Sequence, residues 1–206
     1  HFIELNELDD KTALVIHSGS RHLGKQIAEH YQKRAYDELM EMAHEKPNIK
    51  KELAYVQGQA FEDYLNDMKI AQEYAKWNRK AMVDEIVSRM GFVVEDSFTT
   101  IHNYIDIENM IVRKGAISAQ KGERVIIPMN MRDGSIIAYG KGNPDWNYSG
   151  PHGAGRIMSR SKAKKTLNVE QFKQAMEKVW STSVNVKTLD EAPMVYKPMN
   201  EIIEHI

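Results

Sequence analysis

The chain has no cysteine, so disulfides and thiolate metal ligands are excluded within it. It has no apolar run near the ~20 residues needed to span a bilayer, and no signal-peptide pattern opens it. It also lacks an excess of either charge. Lys and Arg total 28 against 29 Asp and Glu, for a formal net charge of -1. Such a chain is not a general polyanion binder, and any phosphate site must be a local patch. There is no internal repeat, linker or low-complexity block. The first residue is His1 rather than methionine, and His1 to Glu4 reads as the middle of an element. A fragment whose N-terminal part is missing or separately encoded is the expectation.

What is present is ordinary for a soluble globular protein. The 206 residues are 42% hydrophobic and 28% charged, enough for one sizeable core in one domain or two. A soluble, cytoplasmic protein without a membrane partner is expected.

Hydrophobic spacing sets out the elements. Ala13 to Ile16 reads as a buried strand delivering His17 into the Ser18-Gly19-Ser20 turn. A helix then runs from near Lys25 to Met42, with Ile27, Tyr31, Ala35 and Leu39 on its inner face. His30 and His44 fall on its solvated face, and Pro47 ends the segment. Phe61 to Met90 reads as a long helix with Tyr64, Met68, Ala71, Ala75 and Met82 inward, stopped at Gly91. Within it, Asn78 and Arg79 suit either a site lining or plain surface polarity. Phe92 to Val94 and Ser97 to Ile101 read as β, placing His102 at a strand end. Ile105 to Val112 reads as irregular or extended, and Arg113 to Ala116 as a basic turn. A short strand at Val125 to Ile127 stops at Pro128, a loop follows, and Ser135 to Tyr139 is its hairpin partner. Val169 to Trp180 reads as an amphipathic helix, Glu191 to Lys197 as turn-like, and Met199 to Ile206 as the start of a helix.

The chain is organised around Pro151 to Arg160. His152 sits between a proline and two glycines, Gly153 and Gly155, where the backbone can approach a large ligand. Arg156 and Arg160, four apart, would share one face of a helix. Residues 156 to 165 carry Arg156, Arg160, Lys162, Lys164 and Lys165 with no acid, the one dense positive patch. A histidine on glycines backed by guanidiniums suits phosphate chemistry. A Gly-rich turn before a basic helix explains the same residues. His1, His17 and His102 stand in strand-end or turn settings, and imidazole is a common ligand for Mn²⁺ and Zn²⁺. None of the three is persuasive singly.

In order along the chain come His1-Phe2-Ile3-Glu4, His17-Ser18-Gly19-Ser20-Arg21 with Leu23-Gly24, and His102-Asn103-Tyr104. Then follow Arg113-Lys114-Gly115-Ala116, His152-Gly153-Ala154-Gly155-Arg156 with Met158-Ser159-Arg160, and Glu191-Ala192-Pro193 with Tyr196-Lys197. This series closely resembles the RtcB family of RNA-splicing and repair ligases, nearly from end to end. The resemblance implies a mixed α/β (α+β) fold, a β-sheet core with surrounding helices, as one catalytic domain over residues 1 to 206. It implies a GTP- and Mn²⁺-dependent enzyme joining RNA with a 2′,3′-cyclic phosphate or 3′-phosphate to RNA with a 5′-hydroxyl. The partners would be tRNA halves or broken RNA ends, with an accessory activating protein possible in principle.

By motif, His1, His17 and His102 match manganese ligands, and His152 matches the histidine that takes GMP from GTP. Phe2, Ile3, Glu4, His102, Asn103, His152, Gly153, Ala154 and Gly155 match nucleotide-binding stretches. Pro128, Met129, Asn130, Met131 and Ser135 fall where further GTP contacts lie, and Tyr196 near the guanine. Arg21, Arg156 and Arg160 would hold RNA phosphates. The chain departs from the family pattern in three places. The early Asp and Cys ligands, and the asparagine before His1, should precede residue 1. The usual Pro-Gly-Ser-Met-Gly loop reads Pro128-Met129-Asn130-Met131-Arg132. The C-terminal Lys-Gly is missing, so this stretch alone is expected to be an inactive ligase. Two alternatives stand beside the ligase. One is a paralogue that transfers guanylyl to, or hydrolyses a phosphate ester of, another acceptor. The other is a non-catalytic RNA-binding relative.

Overall fold

The computed structural model describes residues 1–42 and 50–206. The expectations for His44 and Pro47 lie outside the described residues. The chain is mixed α/β, with small antiparallel sheets and several helices. It divides into two compact units, His1–Asp96 and Ser97–Ile206.

The first unit opens with a hairpin. Strands β1 (Phe2–Leu8) and β2 (Lys11–His17) pair antiparallel, with Phe2 opposite His17 and Leu8 opposite Lys11. Asp9 takes a left-handed conformation (φ 53°) at the turn, a role short polar side chains tolerate. The strand expected at Ala13 to Ile16 is thus longer and only half-buried. Helix α1 (Arg21–Met42) starts four residues before the expected Lys25, and α2 spans Gly58–Met90. Ala35, Ala71 and Ala75 are buried, so the helical interior is lined by small side chains. Tyr31 lies 5.0 Å from Tyr64, ring to ring, and donates to Asp67 Oδ2 at 2.8 Å. Gly91 closes α2 in the left-handed region (φ 66°), as a glycine C-cap does.

In the second unit, β3 (His102–Asp106), β4 (Ile111–Ser118) and β7 (Ser149–Pro151) form an antiparallel sheet in the order β3-β4-β7. The run Ser97 to Ile101 is not a strand. Its aromatic, Phe98, lies instead under Arg124, whose guanidinium carbon is 4.1 Å from the ring centroid. The expected basic turn at Arg113 lies within β4, because Arg113 points inward. It is 2% exposed and donates to Ser149 Oγ, Tyr104 Oη, Asp106 Oδ2 and the Asn147 carbonyl at 2.9–3.3 Å. These bonds tie β3, β4 and the approach to β7 together. Burial alone would raise the Asp106 carboxyl, but Arg113 and Asn109 outweigh it and hold it below its ordinary value.

Strands β5 (Arg124–Asn130) and β6 (Gly134–Tyr139) make a second hairpin. β5 runs through Pro128, which pairs with Ser135, with a register shift between Pro128 and Asn130. A two-stranded sheet tolerates this proline because every strand in it is an edge. Val125, Ile127 and Met129 alternate inward to a core shared with Ile117 and Ala154. Helices α3 (Arg160–Thr166) and α4 (Val169–Ala175) follow, then α5 (Met199–Ile203). A second core gathers Phe172, Met176, Leu189 and Ala192, with Val179 packed against it. The inner face expected for Val169 to Trp180 is therefore present, although regular helix ends at Ala175.

Candidate functional site

The structure brings the four motif histidines together in two pairs, one in each unit. His1 and His17 have ring centroids 6.3 Å apart. His17 ends β2 and lies nearly flat against Phe2, 5.0 Å away and tilted by 17°. Along β1, Phe2 and Glu4 share one face by strand alternation, while Ile3 turns to the other and is 52% exposed. Glu4 accepts from Asn6 Nδ2 at 3.1 Å. The turn after His17 leads to Arg21, the exposed first residue of α1, held at φ 56°.

His102 and His152 form the second pair. Their rings stack 4.9 Å apart at 26°. His102 opens β3 rather than ending a strand, and His152 directly follows β7. His152 Nδ1 lies 2.6 Å from the Gly115 carbonyl oxygen. A carbonyl only accepts, so Nδ1 carries the proton and the lone pair of the neutral ring is on Nε2. Gly115 sits at φ 68°, and a Cβ there would stand 3.5 Å from His152 Cε1. Its amide donates to Asn103 Oδ1 at 2.7 Å. Asn103 is itself left-handed (φ 54°), beside the irregularity between His102 and Tyr104 in the β3–β4 pairing. Main chain of β4 thus aims the nucleophile candidate, and Asn103 fixes that main chain.

The glycines beside His152 have separate causes. A Cβ at Gly153 would meet the Pro128 carbonyl at 3.1 Å, and the same carbonyl accepts from the Ala154 amide at 3.1 Å. Gly155 needs its φ of 75°. Ala154 between them is 3% exposed, part of the first core. The motif is therefore a packed loop seated on β5.

Pro128, Met129 and Asn130 end β5, Ser135 lies in β6, and residues 131–133 make the turn between them. The side chains of Met129 and Met131 point to the two cores. Asn130 Oδ1 accepts from the amides of Arg132 and Asp133 at 3.0 and 3.1 Å. Arg132 grips Asp133 with two bonds, at 2.7 and 3.0 Å. That grip, aided by Asn130, holds the Asp133 carboxyl below its ordinary value. Asn130, Arg132 and Asp133 therefore close the turn on itself.

Arg156 and Arg160 do not share a helix face. Ser159 caps α3 by accepting from the Lys162 amide, so the helix begins at Arg160. The two arginines nevertheless converge on Asp190 and Glu191. Arg156 donates to the carbonyls of Met158 (3.1 Å) and Asp190 (2.6 Å) and to Tyr196 Oη (3.3 Å). Arg160 pairs with Asp190 Oδ2 at 2.8 Å and with Glu191, and Lys164 reaches Asp190 Oδ1 at 3.1 Å. Burial alone would raise the Asp190 carboxyl, but Arg160 and Lys164 hold it below its ordinary value. Tyr196 packs on the first core and hydrogen-bonds Glu191. Burial, then that bond, pushes its phenol up to about 12. Backbone bonds from Ile157 to Val195 and from Lys197 to Gly155 lock this segment to the loop after His152.

Sequence reasoning missed the acids that meet the positive patch. Asp190 carried no signal, and Glu191 was visible only as part of a motif. It also missed the Gly115 carbonyl, because Arg113 to Ala116, within β4, reads as a turn.

Imidazole nitrogens suit Mn²⁺ and related ions in kind, so each pair offers fitting donors. Among the described residues, no group of three or more His, Asp or Glu side chains is arranged to hold an ion. Among them too, no helix is long and apolar enough to cross a membrane.

Residues 1–206 match the family model described as tRNA-splicing ligase RtcB. The chain is 34% identical to the RNA-splicing ligase RtcB of Escherichia coli (strain K12), covering 98% of this chain and 54% of that protein. It is 28% identical to the tRNA-splicing ligase RtcB of Aeropyrum pernix, over 95% of this chain and 48% of that one. The corresponding protein of Methanococcus maripaludis is also 28% identical, over 99% and 53%. The chain spans about half the length of these relatives.

Proposed function

The chain belongs to the RtcB family, and from that premise we propose that it is the histidine-bearing part of an RNA ligase. The enzyme would join 2′,3′-cyclic phosphate or 3′-phosphate RNA ends to 5′-hydroxyl ends through GMP carried on His152, in tRNA splicing or RNA repair. The observation that carries this reading is the bond from His152 Nδ1 to the Gly115 carbonyl. It leaves the Nε2 lone pair as the nucleophile, without a separate base to remove a proton.

In the proposed step, Nε2 attacks the α-phosphorus of GTP. A P–N bond forms, the P–O bond to the β-phosphate breaks, and pyrophosphate leaves. The proton stays on Nδ1 and is donated to the Gly115 carbonyl, whose oxygen steadies the positive ring of the phosphoramidate. Gly153, pressed on the Pro128 carbonyl, and Gly155, in its left-handed turn, seat the loop that carries His152 on β5. A 2′,3′-cyclic phosphate end is first opened by water to a 3′-phosphate. An oxygen of that 3′-phosphate then attacks the phosphorus on His152, the P–N bond breaks, and the neutral imidazole is restored. The 5′-hydroxyl attacks the activated 3′-phosphate, losing its proton to water, and GMP leaves as the phosphodiester forms. His1 and His17 in the first unit, and His102 in the second, would serve as Mn²⁺ ligands, and bound Mn²⁺ would neutralise phosphate charge and orient the leaving group. Arg21, Arg156 and Arg160 would position RNA phosphates without reading sequence. For Arg156 and Arg160 this means sharing or exchanging the carboxylates they already hold.

The self-closed turn at Asn130 to Asp133 favours a second reading, guanylyl transfer to a different acceptor. Incubating the intact protein with α-labelled GTP and Mn²⁺, then adding RNA ends, tests both. Covalent label that is lost in His152→Ala and discharged by RNA joining supports the ligase. Label discharged without joining supports the second reading. Label surviving in His152→Ala overturns the nucleophile assignment.

A further inference from the structure

We propose that Asn78 and Arg79, on α2, are positioning residues for His17: they hold the turn that aims this imidazole, and thereby tune the affinity of its site for a divalent cation. The proposal rests on the reading of His17 as a metal ligand given above.

The two side chains reach the same short turn from about 60 residues away in sequence. Asn78 Nδ2 donates to Ser18 Oγ at 2.9 Å and to the Gly19 carbonyl at 3.3 Å. Arg79 Nη1 donates to the Ser18 carbonyl at 3.1 Å. Neighbouring residues on a helix point about 100° apart, so both meeting one turn makes a clamp rather than a solvated surface. The clamp carries a cost. Among the described residues Arg79 Nη2 is buried with no hydrogen-bond partner, and burial pulls the guanidinium below its ordinary value. An unsatisfied buried donor in a native structure calls for a functional or strain-related reason.

The turn supplies that reason. Arg21, a long side chain, is held left-handed at φ 56°, and such strain persists only where the surroundings over-determine it. Ser20 is tucked so tightly that a Cβ at Gly24 would come within 2.0 Å of its hydroxyl. His17 is therefore constrained twice. Phe2 fixes the plane of its ring, and Asn78 with Arg79 fixes the backbone just beyond it. Outer partners that orient a ligating histidine typically change metal affinity about 10- to 100-fold.

The test uses the intact protein and Mn²⁺ as probe. Free Mn²⁺ is followed by its electron paramagnetic resonance signal, and GTP labelling is measured across Mn²⁺ concentrations. Asn78→Ala and Arg79→Met should each weaken Mn²⁺ binding about 10-fold, with labelling recovering at saturating Mn²⁺. Arg79→Lys, which keeps the charge but loses the planar fork, should fall between them and the parent. His17→Ala runs in parallel. If His17→Ala loses Mn²⁺ binding while Asn78→Ala and Arg79→Met titrate like the parent, the positioning role is overturned and the ligand reading stands. If His17→Ala binds Mn²⁺ like the parent, both are overturned. Weakened binding that merely tracks loss of folded protein by circular dichroism in all three variants also overturns the proposal.

Discussion

His17 and His152 are aimed by different means. The turn after His17 is gripped by two side chains from a distant helix. His152 is held by a main-chain carbonyl of the neighbouring strand. A side-chain grip can be removed atom by atom through substitution. A main-chain grip survives side-chain deletion and yields only when the strand bends or detaches. Under the roles proposed above, the first arrangement would make the metal affinity of His17 adjustable, and the second would make the aim of His152 close to all-or-none. The second would suit a nucleophile, whose tautomer must be right in every molecule.

The largest expected effect attacks the strand behind His152. Arg113 lies two residues before Gly115 and is nearly inaccessible, and its partner Asp106 is little more exposed. Arg113→Met leaves that carboxylate, Tyr104 and Ser149 without their shared donor. Removing one partner of a buried pair costs about 3–5 kcal/mol. Urea unfolding of the intact protein should show a loss of this size. A loss under about 1 kcal/mol would mean that the sheet, and the carbonyl it presents, are held some other way.

A smaller effect falls on the loop after His152. Asp190 is 9% exposed at its side chain and receives Arg160 and Lys164. Asp190→Asn should cost about 2 kcal/mol at pH 7, as charged hydrogen bonds do. The Asp190 carboxyl is depressed in the folded state. Its stabilisation is thus fully present above the unfolded value of about 3.9 and is lost as pH falls through the lower folded value. Melting temperature followed from pH 6 to pH 3 should fall less steeply in Asp190→Asn than in the parent. Parallel curves would mean that Asp190 does not hold this loop.

Gly115→Ala bears directly on the comparison. The left-handed φ costs a non-glycine residue about 1–2 kcal/mol, and the new methyl would stand 3.5 Å from the His152 ring. GTP labelling should drop at every Mn²⁺ concentration, including saturation. That is the opposite of the pattern expected for Asn78 and Arg79. Recovery at high Mn²⁺ would erase the distinction between the two kinds of grip.

Much of the first unit was legible because its signals are local. Helical spacing found both helices, and Gly91 marked the end of α2. The second unit was harder, since its elements depend on pairing. Ser97 to Ile101 has strand composition but no strand partner, and Phe98 serves Arg124 instead. Arg113-Lys114-Gly115 looked like a turn because charge normally marks a surface, yet Arg113 is buried among matched acceptors. The motif order named the histidines of the candidate site. It could not reveal the Gly115 carbonyl, since a backbone acceptor has no side-chain signature, nor Asp190, which reaches Arg160 from 30 residues away. Asn78 and Arg79 stayed ambiguous because only the fold decides whether a polar helix residue faces water or a turn.

The smallest effect separates the clamp from the helix that carries it. Lys80 and Asp84 form an i,i+4 ion pair on α2, immediately after Arg79, with both side chains more than half exposed. An exposed pair of this kind contributes about 0.5 kcal/mol or less, and salt screens it. Lys80→Ala should therefore leave both the melting temperature and the Mn²⁺ titration close to those of the parent, with any difference vanishing in high salt. Asn78→Ala and Arg79→Met remove no more helix propensity than Lys80→Ala does, because all three end on strong helix formers. If α2 mattered only as a stable rod, the three variants would behave alike. A Mn²⁺ midpoint shifted in the first two and unmoved in the third would put the effect on the Ser18–Gly19 turn. A matching shift in Lys80→Ala would place it in the helix as a whole, and the contrast between an adjustable and a fixed histidine would have to be drawn elsewhere.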